Sequence, residues 1–263
     1  MRRVVFNQKG GVGKSTITAN LAAISAAKGL RTLLIDLDPQ GNSSQYVLGK
    51  DNAAPELTLA DFFDQALNFK IRPKKCIEFV TESPYENLDV LASHPALEEL
   101  QVKLESRYKI FKLREGLDEL QSEYDAIYID TPPALNFFSR SALIACNSVL
   151  IPFDCDDFSR KALYSLMDAL NEIRSDHNPT LEVGGIVVNQ FQPRASLPQR
   201  LVDELRAEGL PVLNTCLSQS IKIRESHEAS APMIHFMPKH KVCLEFLALD
   251  EEIAALSAQQ KAA

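Results

Sequence analysis

The sequence contains no stretch that would place it in a membrane or mark it for secretion. The apolar region at residues 142–153 is interrupted by two polar residues and a proline, whereas a membrane-spanning helix needs about 20 consecutive apolar residues. Arg2 and Arg3 lie at the start, but only three apolar residues separate them from Asn7, too few for a secretory signal. We therefore expect a cytoplasmic protein without a membrane partner.

Cysteine is scarce, and its spacing gives no recognisable framework. The chain has five cysteines, an odd number, and no two have the C-x-x-C spacing: Cys76, Cys146, Cys155, Cys216 and Cys243. This pattern predicts no disulfide scaffold. Reduced thiols that pack in the core are the simplest interpretation.

Positive charge is also in short supply. The formal net charge is −7 and the isoelectric point is near 5.3. A chain this acidic is a poor candidate for binding DNA over its whole surface, so any contact with nucleic acid must come from a local basic patch. The length of 263 residues, 45% of them hydrophobic, suits one large α/β domain over residues 1–263.

Glycine is concentrated near the start of the chain. Residues 7–16 read NQKGGVGKST, after the apolar run Val4 to Phe6 and before a helical pattern at 17–28. A glycine loop between a strand and a helix predicts a phosphate site, because its backbone N–H groups can turn toward phosphate oxygens. Lys14 would add a charge for the β- and γ-phosphates, and the Ser15 hydroxyl would bind Mg²⁺.

The loop departs from the ordinary pattern at its beginning. Gln8 stands where the first glycine is usual, and a second lysine, Lys9, follows it. The segment KGGVGKST resembles the deviant Walker A motif of the ParA/MinD family of ATPases. The resemblance implies that Lys9 reaches the partner subunit's nucleotide across a dimer. It also implies that ATP is bound by Lys9, Gly10, Gly11, Val12, Gly13, Lys14, Ser15 and Thr16.

Two acids follow the second predicted strand, Leu33 to Ile35. Asp36 and Asp38 would lie on the same side of the strand, at the edge where ligands bind in open α/β sheets. Paired carboxylates beside phosphates suit Mg²⁺ and water, although Asp-Pro is also good chemistry for a solvated turn. The stretch resembles the family's DxDPQGN segment. By that resemblance Asp38 positions the attacking water and Asp36 lies in the magnesium shell.

A third acid, Asp130, ends another apolar run, residues 126–129. An acid at a strand end beside phosphates is the Walker B arrangement, in which the carboxylate holds Mg²⁺, usually through water. The following Thr-Pro-Pro matches the family's DTPP element. Asn189 ends the predicted strand Val183 to Asn189, where its amide could pair with an adenine edge or simply terminate the strand.

Basic residues are slightly enriched in the last third of the chain. Residues 190–241 contain seven Lys or Arg against five Asp or Glu. Phosphate contact needs such a patch and no reading of sequence, and solvated surface charge is the alternative interpretation. The resemblance implies non-specific DNA binding here and matches Arg194 and Lys222 to family positions. Arg200 and Arg224 are further candidates from the basic segment itself. The predicted first strand starts at Arg3, so no helix-turn-helix module is expected before it.

The end of the chain predicts an amphipathic helix at Val242 to Ser257. Its polar face is acidic, whereas membrane-surface helices need a basic one. We therefore expect it to pack on the core, unlike the membrane-targeting helix of the MinD branch. Seven strand candidates, near residues 3, 32, 88, 126, 149, 184 and 212, alternate with helices. This pattern predicts a doubly wound α/β fold, a mainly parallel sheet with helices on both faces.

The resemblance implies a Mg²⁺-dependent ATPase that is slow until a partner stimulates it. ATP would close a homodimer that binds DNA, and a ParB-like or other adaptor would trigger hydrolysis. The cargo would be DNA or another large assembly, with the protein on the nucleoid if it binds DNA. A MinD-like positioning switch that acts through protein partners without DNA is the alternative. A metabolic enzyme of the same fold, such as an ATP-dependent ligase, is a third hypothesis, which Lys9 disfavours.

Overall fold

One sheet runs through the part of the chain that the computed structural model describes, residues 1–50, 55–68, 71–155, 157–192 and 196–262. Its seven strands are β1 (Arg2–Val5), β2 (Thr32–Asp36), β3 (Thr81–Glu82), β4 (Leu88–Leu91), β5 (Ala126–Asp130), β6 (Ser148–Asp154) and β7 (Glu182–Asn189). They lie in the order β3-β4-β2-β5-β1-β6-β7. All pairs are parallel except β3 with β4.

The helices divide between the two faces of this sheet. They are α1 (Lys14–Ala27), α2 (Asn42–Leu48), α3 (Leu59–Leu67), α4 (Leu97–Ser106), α5 (Lys112–Glu119), α6 (Phe137–Ala145), α7 (Asp157–Asp176), α8 (Ser196–Ala207), α9 (Ile221–Glu228), α10 (Met233–Phe236) and α11 (Lys241–Ala262), with a 3₁₀ turn at Cys76–Phe79. Helices α3 to α8 cover one face, whereas α1, α2 and α9 to α11 cover the other.

The strands are apolar on both sides, which is why they lie inside. Leu33 and Ile35 belong to the core under α3 to α8, and Leu34 belongs to the core under α1 and α11, as the alternation of side chains along a strand requires. In the parallel pairing of β2 with β5, Asp36 lies opposite Asp130. The ends of the two strands therefore bring the two predicted acids together at one edge of the sheet.

The predicted doubly wound, mainly parallel sheet with helices on both faces is confirmed. The predicted strand near residue 212 is wrong, because Val212 forms only an isolated bridge to Ile186. The backbone N–H groups of Asn214 and Thr215 bond to the Glu252 carboxylate, at 2.7 and 2.8 Å, and so do not continue a ladder. The seventh strand is instead the two-residue β3, which the sequence pattern did not predict.

The last helix packs against the core through its apolar stripe, as expected, and runs past the predicted Ser257. Phe246, Leu249 and Ile253 are at most 1% exposed. Asp250, one of the acids on the polar face, is buried and pairs with Lys28 at 2.7 Å. In the described residues no helix combines the length and the apolar character that crossing a bilayer requires.

Two leucines of α11 provide a matched test of this packing. Leu249 is fully buried and Leu244 is 54% exposed on the same helix. Leu249→Ala should lower the free energy of unfolding by about 2–5 kcal/mol because it leaves a cavity, and Leu244→Ala by less than about 0.5 kcal/mol. Urea denaturation followed by circular dichroism measures both, and equal losses would show that the stripe does not anchor the helix.

Candidate functional site

The loop between β1 and α1 has the backbone of an anion site. Gly11 and Gly13 have φ of 76° and 89°, a left-handed conformation that glycine adopts without strain. Gly13 caps α1, whose first residue is Lys14, so the unpaired N–H groups of the helix start next to the loop. Asn7 fixes the beginning of the loop, because its side chain donates to the Pro152 carbonyl and accepts from the Lys9 N–H, at 2.7 and 2.9 Å.

The end of β7 braces this loop from the side. The Asn189 amide Nδ2 donates to the Val12 carbonyl at 2.9 Å, and the Gln190 amide Nε2 donates to the Gly11 carbonyl at 3.1 Å. A Cβ atom at Gly13 would lie 2.3 Å from the Asn189 Nδ2, so only glycine fits there without displacing the amide. Asn189 therefore lies against the predicted phosphate loop. It is the last residue of β7, as the sequence predicted.

The two lysines of the loop have different surroundings. Lys14 is buried, and its ammonium donates to the Lys9 carbonyl at 3.0 Å. Burial lowers the pKa of Lys14, and the negative charges of Asp130 and Asp38 oppose that shift. The Lys9 side chain is 34% exposed, and its ammonium lies 2.7 Å from the Asp154 carboxylate at the end of β6. One lysine therefore lies inside the loop and the other at its rim.

Asp36 is fully buried and holds the segment that carries Asp38. Its Oδ2 accepts hydrogen bonds from the Ser44 N–H and hydroxyl, both at 2.8 Å, and its Oδ1 accepts from the Asp38 N–H at 3.1 Å. The Ser93 hydroxyl donates to the Asp38 carbonyl at 2.5 Å. Because these bonds join β2, α2 and the end of β4, the backbone around Asp38 is fixed from three sides.

Asp130 lies beside Asp36 and is also fully buried. Its carboxylate accepts from the Ser43 hydroxyl at 2.5 Å and from the Thr131 N–H at 2.9 Å. Burial raises the pKa of Asp130, as does the charge of Asp38, and the nearby Ser15 hydroxyl lowers it. Burial is the main cause that raises the pKa of Asp36, and the charge of Asp130 raises it further.

The negative charge of this pair fits a divalent cation. Within the described segments, neither Asp36 nor Asp130 forms an ion pair. Carboxylate and hydroxyl oxygens are the ligands that Mg²⁺ prefers, and the Ser15 hydroxyl is close to Asp130. The residues present therefore fit the predicted magnesium site, and a bound cation would favour the charged form of both carboxylates against the burial that raises their pKa values.

Asp38 is nearly buried, with 7% of its surface exposed. Its Oδ1 accepts a hydrogen bond from the Gln40 N–H at 3.0 Å. A carboxylate has about four acceptor positions, so Asp38 retains the capacity to orient a water molecule. The sequence reasoning missed the serines that hydrogen-bond to the three aspartates, Ser43, Ser44 and Ser93. The first two follow Gly-Asn at the start of α2, and this polar run could have indicated them.

A cavity of about 520 Å³ opens beside the loop, which is within the range of small-molecule sites. Its lining includes Gly11, Gly13, Thr16, Asn189, Arg224 and Phe246. Residues 217–220 form one wall, which Glu245 of α11 fixes by accepting from the Ser218 N–H and hydroxyl at 2.8 and 2.6 Å. The sequence did not predict this wall, because its residues carry no motif.

The candidate DNA-binding residues are not all described, and two of those that are lie beside an acid. Arg194 lies outside the described residues. Lys222 pairs with Glu225 at 2.6 Å, and the exposed Arg200 lies 3.7 Å from Glu204. Arg224 lines the cavity. The structure therefore puts Lys222 and Arg224 on α9 beside the candidate nucleotide site and Arg200 on a different helix.

Comparison with known proteins agrees with this geometry. A family model described as an AAA domain matches residues 3–183. The chromosome partitioning protein ParA of Myxococcus xanthus is 34% identical over 252 residues, 95% of this chain and 86% of that protein.

Solved structures extend the likeness to the whole fold. The cell division ATPase MinD of Pyrococcus furiosus has a TM-score of 0.78 and 23% identity, over 97% of this chain and 99% of that one. Cobyrinic acid a,c-diamide synthase of Mycobacterium smegmatis, solved with an ATP analogue and magnesium, has a TM-score of 0.75 and 23% identity, over 92% and 98%. On the match to the AAA domain model and to ParA, this chain belongs to the ParA/MinD family of P-loop ATPases.

Proposed function

We propose that the chain is a Mg²⁺-dependent ATPase that dimerises when it binds ATP, binds DNA without sequence preference in that state, and partitions or positions DNA or another large cargo. The observation that carries the proposal is the pair of lysines in one loop. Lys14 lies inside the loop, and Lys9 lies at its rim with an ammonium beside Asp154. One lysine suits the chain's own phosphates, and the partly exposed position of the other supports a role toward a second subunit.

Nucleotide binding uses the loop and the adjoining cavity. The N–H groups of Gly10 to Thr16 and the ammonium of Lys14 would bind the phosphates. The base would occupy the 520 Å³ cavity beside Asn189. The Asn189 Nδ2 donates to the Val12 carbonyl. The amide oxygen of Asn189 would then accept a hydrogen bond from an adenine amino group.

Hydrolysis uses the three carboxylates at the sheet edge. Ser15, Asp36 and Asp130 would hold Mg²⁺, which would neutralise charge on the phosphates. Asp38 orients the attacking water, because it is the carboxylate of the three that is not assigned to Mg²⁺, and it retains acceptor positions beside its hydrogen bond from the Gln40 N–H. Ser44 and Ser93 keep Asp38 in place through the bonds to Asp36 and to the Asp38 carbonyl.

Dimerisation completes the site. Lys9 would leave Asp154 and contact the phosphates of the second subunit, where its charge stabilises the transferring phosphoryl group. A site that lacks this cation turns over slowly, so hydrolysis waits for the dimer and for an activating partner. The relative from Myxococcus xanthus is named for chromosome partitioning, which supports a ParB-like adaptor as that partner and the nucleoid as the place of action.

A positioning switch that acts through protein partners without DNA is the second candidate. The net charge of −7 favours it, as does the pairing of Lys222 with Glu225, because both reduce attraction to phosphate. The likeness to cobyrinic acid a,c-diamide synthase shows that this fold also serves synthases. Lys9 argues against that use for this chain, since a self-contained ligase site needs no cation for a second subunit.

The phosphate-loop assignment is tested by Lys14→Ala, with Lys103→Ala on the exposed surface of α4 as the matched control. Loss of the buried ammonium should weaken ATP binding by about 100-fold, because charge-assisted hydrogen bonds to the phosphates are lost. Titration with a fluorescent ATP analogue measures the affinity. Unchanged affinity in Lys14→Ala would remove the loop from the nucleotide site.

The coupling of dimerisation to hydrolysis is tested by two single variants, Asp38→Ala and Lys9→Ala. Asp38→Ala should bind ATP, remain a dimer and lose turnover by about 100-fold or more. Lys9→Ala should bind ATP but stay monomeric, because the charge offered to the second subunit is gone. Light scattering with ATP and phosphate release give the two readouts. Normal turnover in Asp38→Ala, or an ATP-dependent dimer in Lys9→Ala, would overturn the assigned role.

DNA binding is tested by Arg194→Glu, with Arg174→Glu on the exposed side of α7 as the control. Arg194→Glu should weaken retention of DNA by the ATP-bound chain, leave ATP affinity unchanged, and reduce the salt slope of binding by about 1. Mobility shifts with ATP, ADP and no nucleotide, over a range of salt, give these values. No ATP-dependent shift in the unmodified chain would favour the protein-partner switch.

A further inference from the structure

Helix α9 contacts the phosphate loop through one histidine. The Nε2 atom of His227, in the last turn of α9, lies 2.9 Å from the hydroxyl of Thr16. Thr16 belongs to the predicted phosphate-binding residues, and it also lines the cavity beside the loop. A residue near the end of α9 is therefore in direct contact with the loop that would hold the nucleotide.

The same histidine stacks on helix α2. The rings of His227 and Tyr46 are parallel within 17°, with centroids 3.8 Å apart. The Tyr46 hydroxyl lies 2.8 Å from the hydroxyl of Ser226, the residue before His227, and accepts from the Asn20 amide at 3.3 Å. Tyr46, Asn20 and Ser226 are all at most 1% exposed. Buried polar groups joined in this way fix one arrangement of the helices that carry them.

The start of α2 contacts the candidate magnesium site. The hydroxyls of Ser43 and Ser44 donate to Asp130 and Asp36, and Tyr46 follows two residues later. The short helix α2 therefore contacts the site carboxylates at its start and α9 at its middle. Arg224 adds a third contact of α9 with the region, because it lines the cavity.

We propose that His227 is a positioning residue that joins the phosphate loop to α9, so that a nucleotide bound at the loop orders α9. This inference rests on the proposed function, because it takes the loop to be the nucleotide site. Its consequence is that occupancy of the nucleotide site affects Lys222 and Arg224, the two candidate DNA contacts on α9, through contacts within one subunit.

The chemistry of the contact supports this role. Burial lowers the pKa of His227, so the ring is neutral at pH 7 and carries a single N–H. With that N–H on Nε2, the Thr16 hydroxyl accepts from the ring and keeps its own hydrogen for a phosphate oxygen. The phosphate, Thr16 and His227 then form one chain of hydrogen bonds, and each bond strengthens the next.

Hydrogen exchange of backbone amides with and without ADP tests the proposal. In the unmodified chain, ADP should slow exchange both in the loop peptide, residues 8–20, and in the α9 peptide, residues 221–228. His227→Phe keeps a ring to stack on Tyr46 but removes the hydrogen bond. It should retain protection of the loop and lose the ADP-dependent protection of α9, which we expect to be about fivefold, the effect of one hydrogen bond.

Two further variants make the result specific. His227→Gln, which can still bond to Thr16, should restore protection of α9. His235→Phe is the matched control, because His235 of α10 stacks on Tyr85 at 4.1 Å and forms no contact with the loop in the described residues. It should leave protection of α9 unchanged. Thermal unfolding checks that each variant folds, and His227→Leu replaces His227→Phe in the comparison if the latter does not.

The outcomes separate this inference from the function on which it rests. If ADP protects neither peptide in the unmodified chain, the nucleotide site itself is refuted. If ADP protects the loop but not α9, or protects α9 equally in the unmodified chain and in His227→Phe, the nucleotide site stands and the link through His227 is refuted. Loss of protection of α9 in His227→Phe with rescue by His227→Gln supports the link.

Discussion

The structure depends on the placement of two buried carboxyl groups, Asp36 and Asp130, at neighbouring positions of paired strands. Both carboxylates are fully buried, and burial raises the pKa of each. Such a pair is costly unless hydrogen bonds or a cation compensate it. Ser43 and Ser44 supply part of that compensation at the start of α2. The first turn of the short helix α2 therefore directs two serine hydroxyls at this edge of the sheet.

Local patterns were sufficient to predict which of the candidate site residues lie at the ends of strands. The glycine loop, Asp36, Asp38 and Asp130 each follow an apolar run, and in a parallel sheet the carboxyl ends of strands meet at one edge. The same reasoning predicted a strand near residue 212, and there it was wrong. Glu252 draws the backbone of Asn214 and Thr215 away from the sheet, and a contact across 38 residues has no local signal.

The residues that the sequence did not reveal are those that position site residues through hydrogen bonds. Ser93 acts on Asp38, and His227 contacts Thr16 across a separation of 211 residues. Serine and histidine occur at many surface positions, so their type alone indicates nothing. Their role follows from which helices pack together, which hydrophobic periodicity predicts only as faces and not as pairs of side chains.

The position of β1 in the sheet also determines the order in which the fold can form. β1 lies between β5 and β6, whose residues begin at Ala126 and Ser148. During synthesis its apolar residues, Val4 and Val5, therefore have no strand to pair with until about half of the chain has been made. Such long-range parallel pairing slows folding and leaves an apolar segment exposed. The strand that leads into the phosphate loop is therefore exposed to aggregation while the chain is being synthesised.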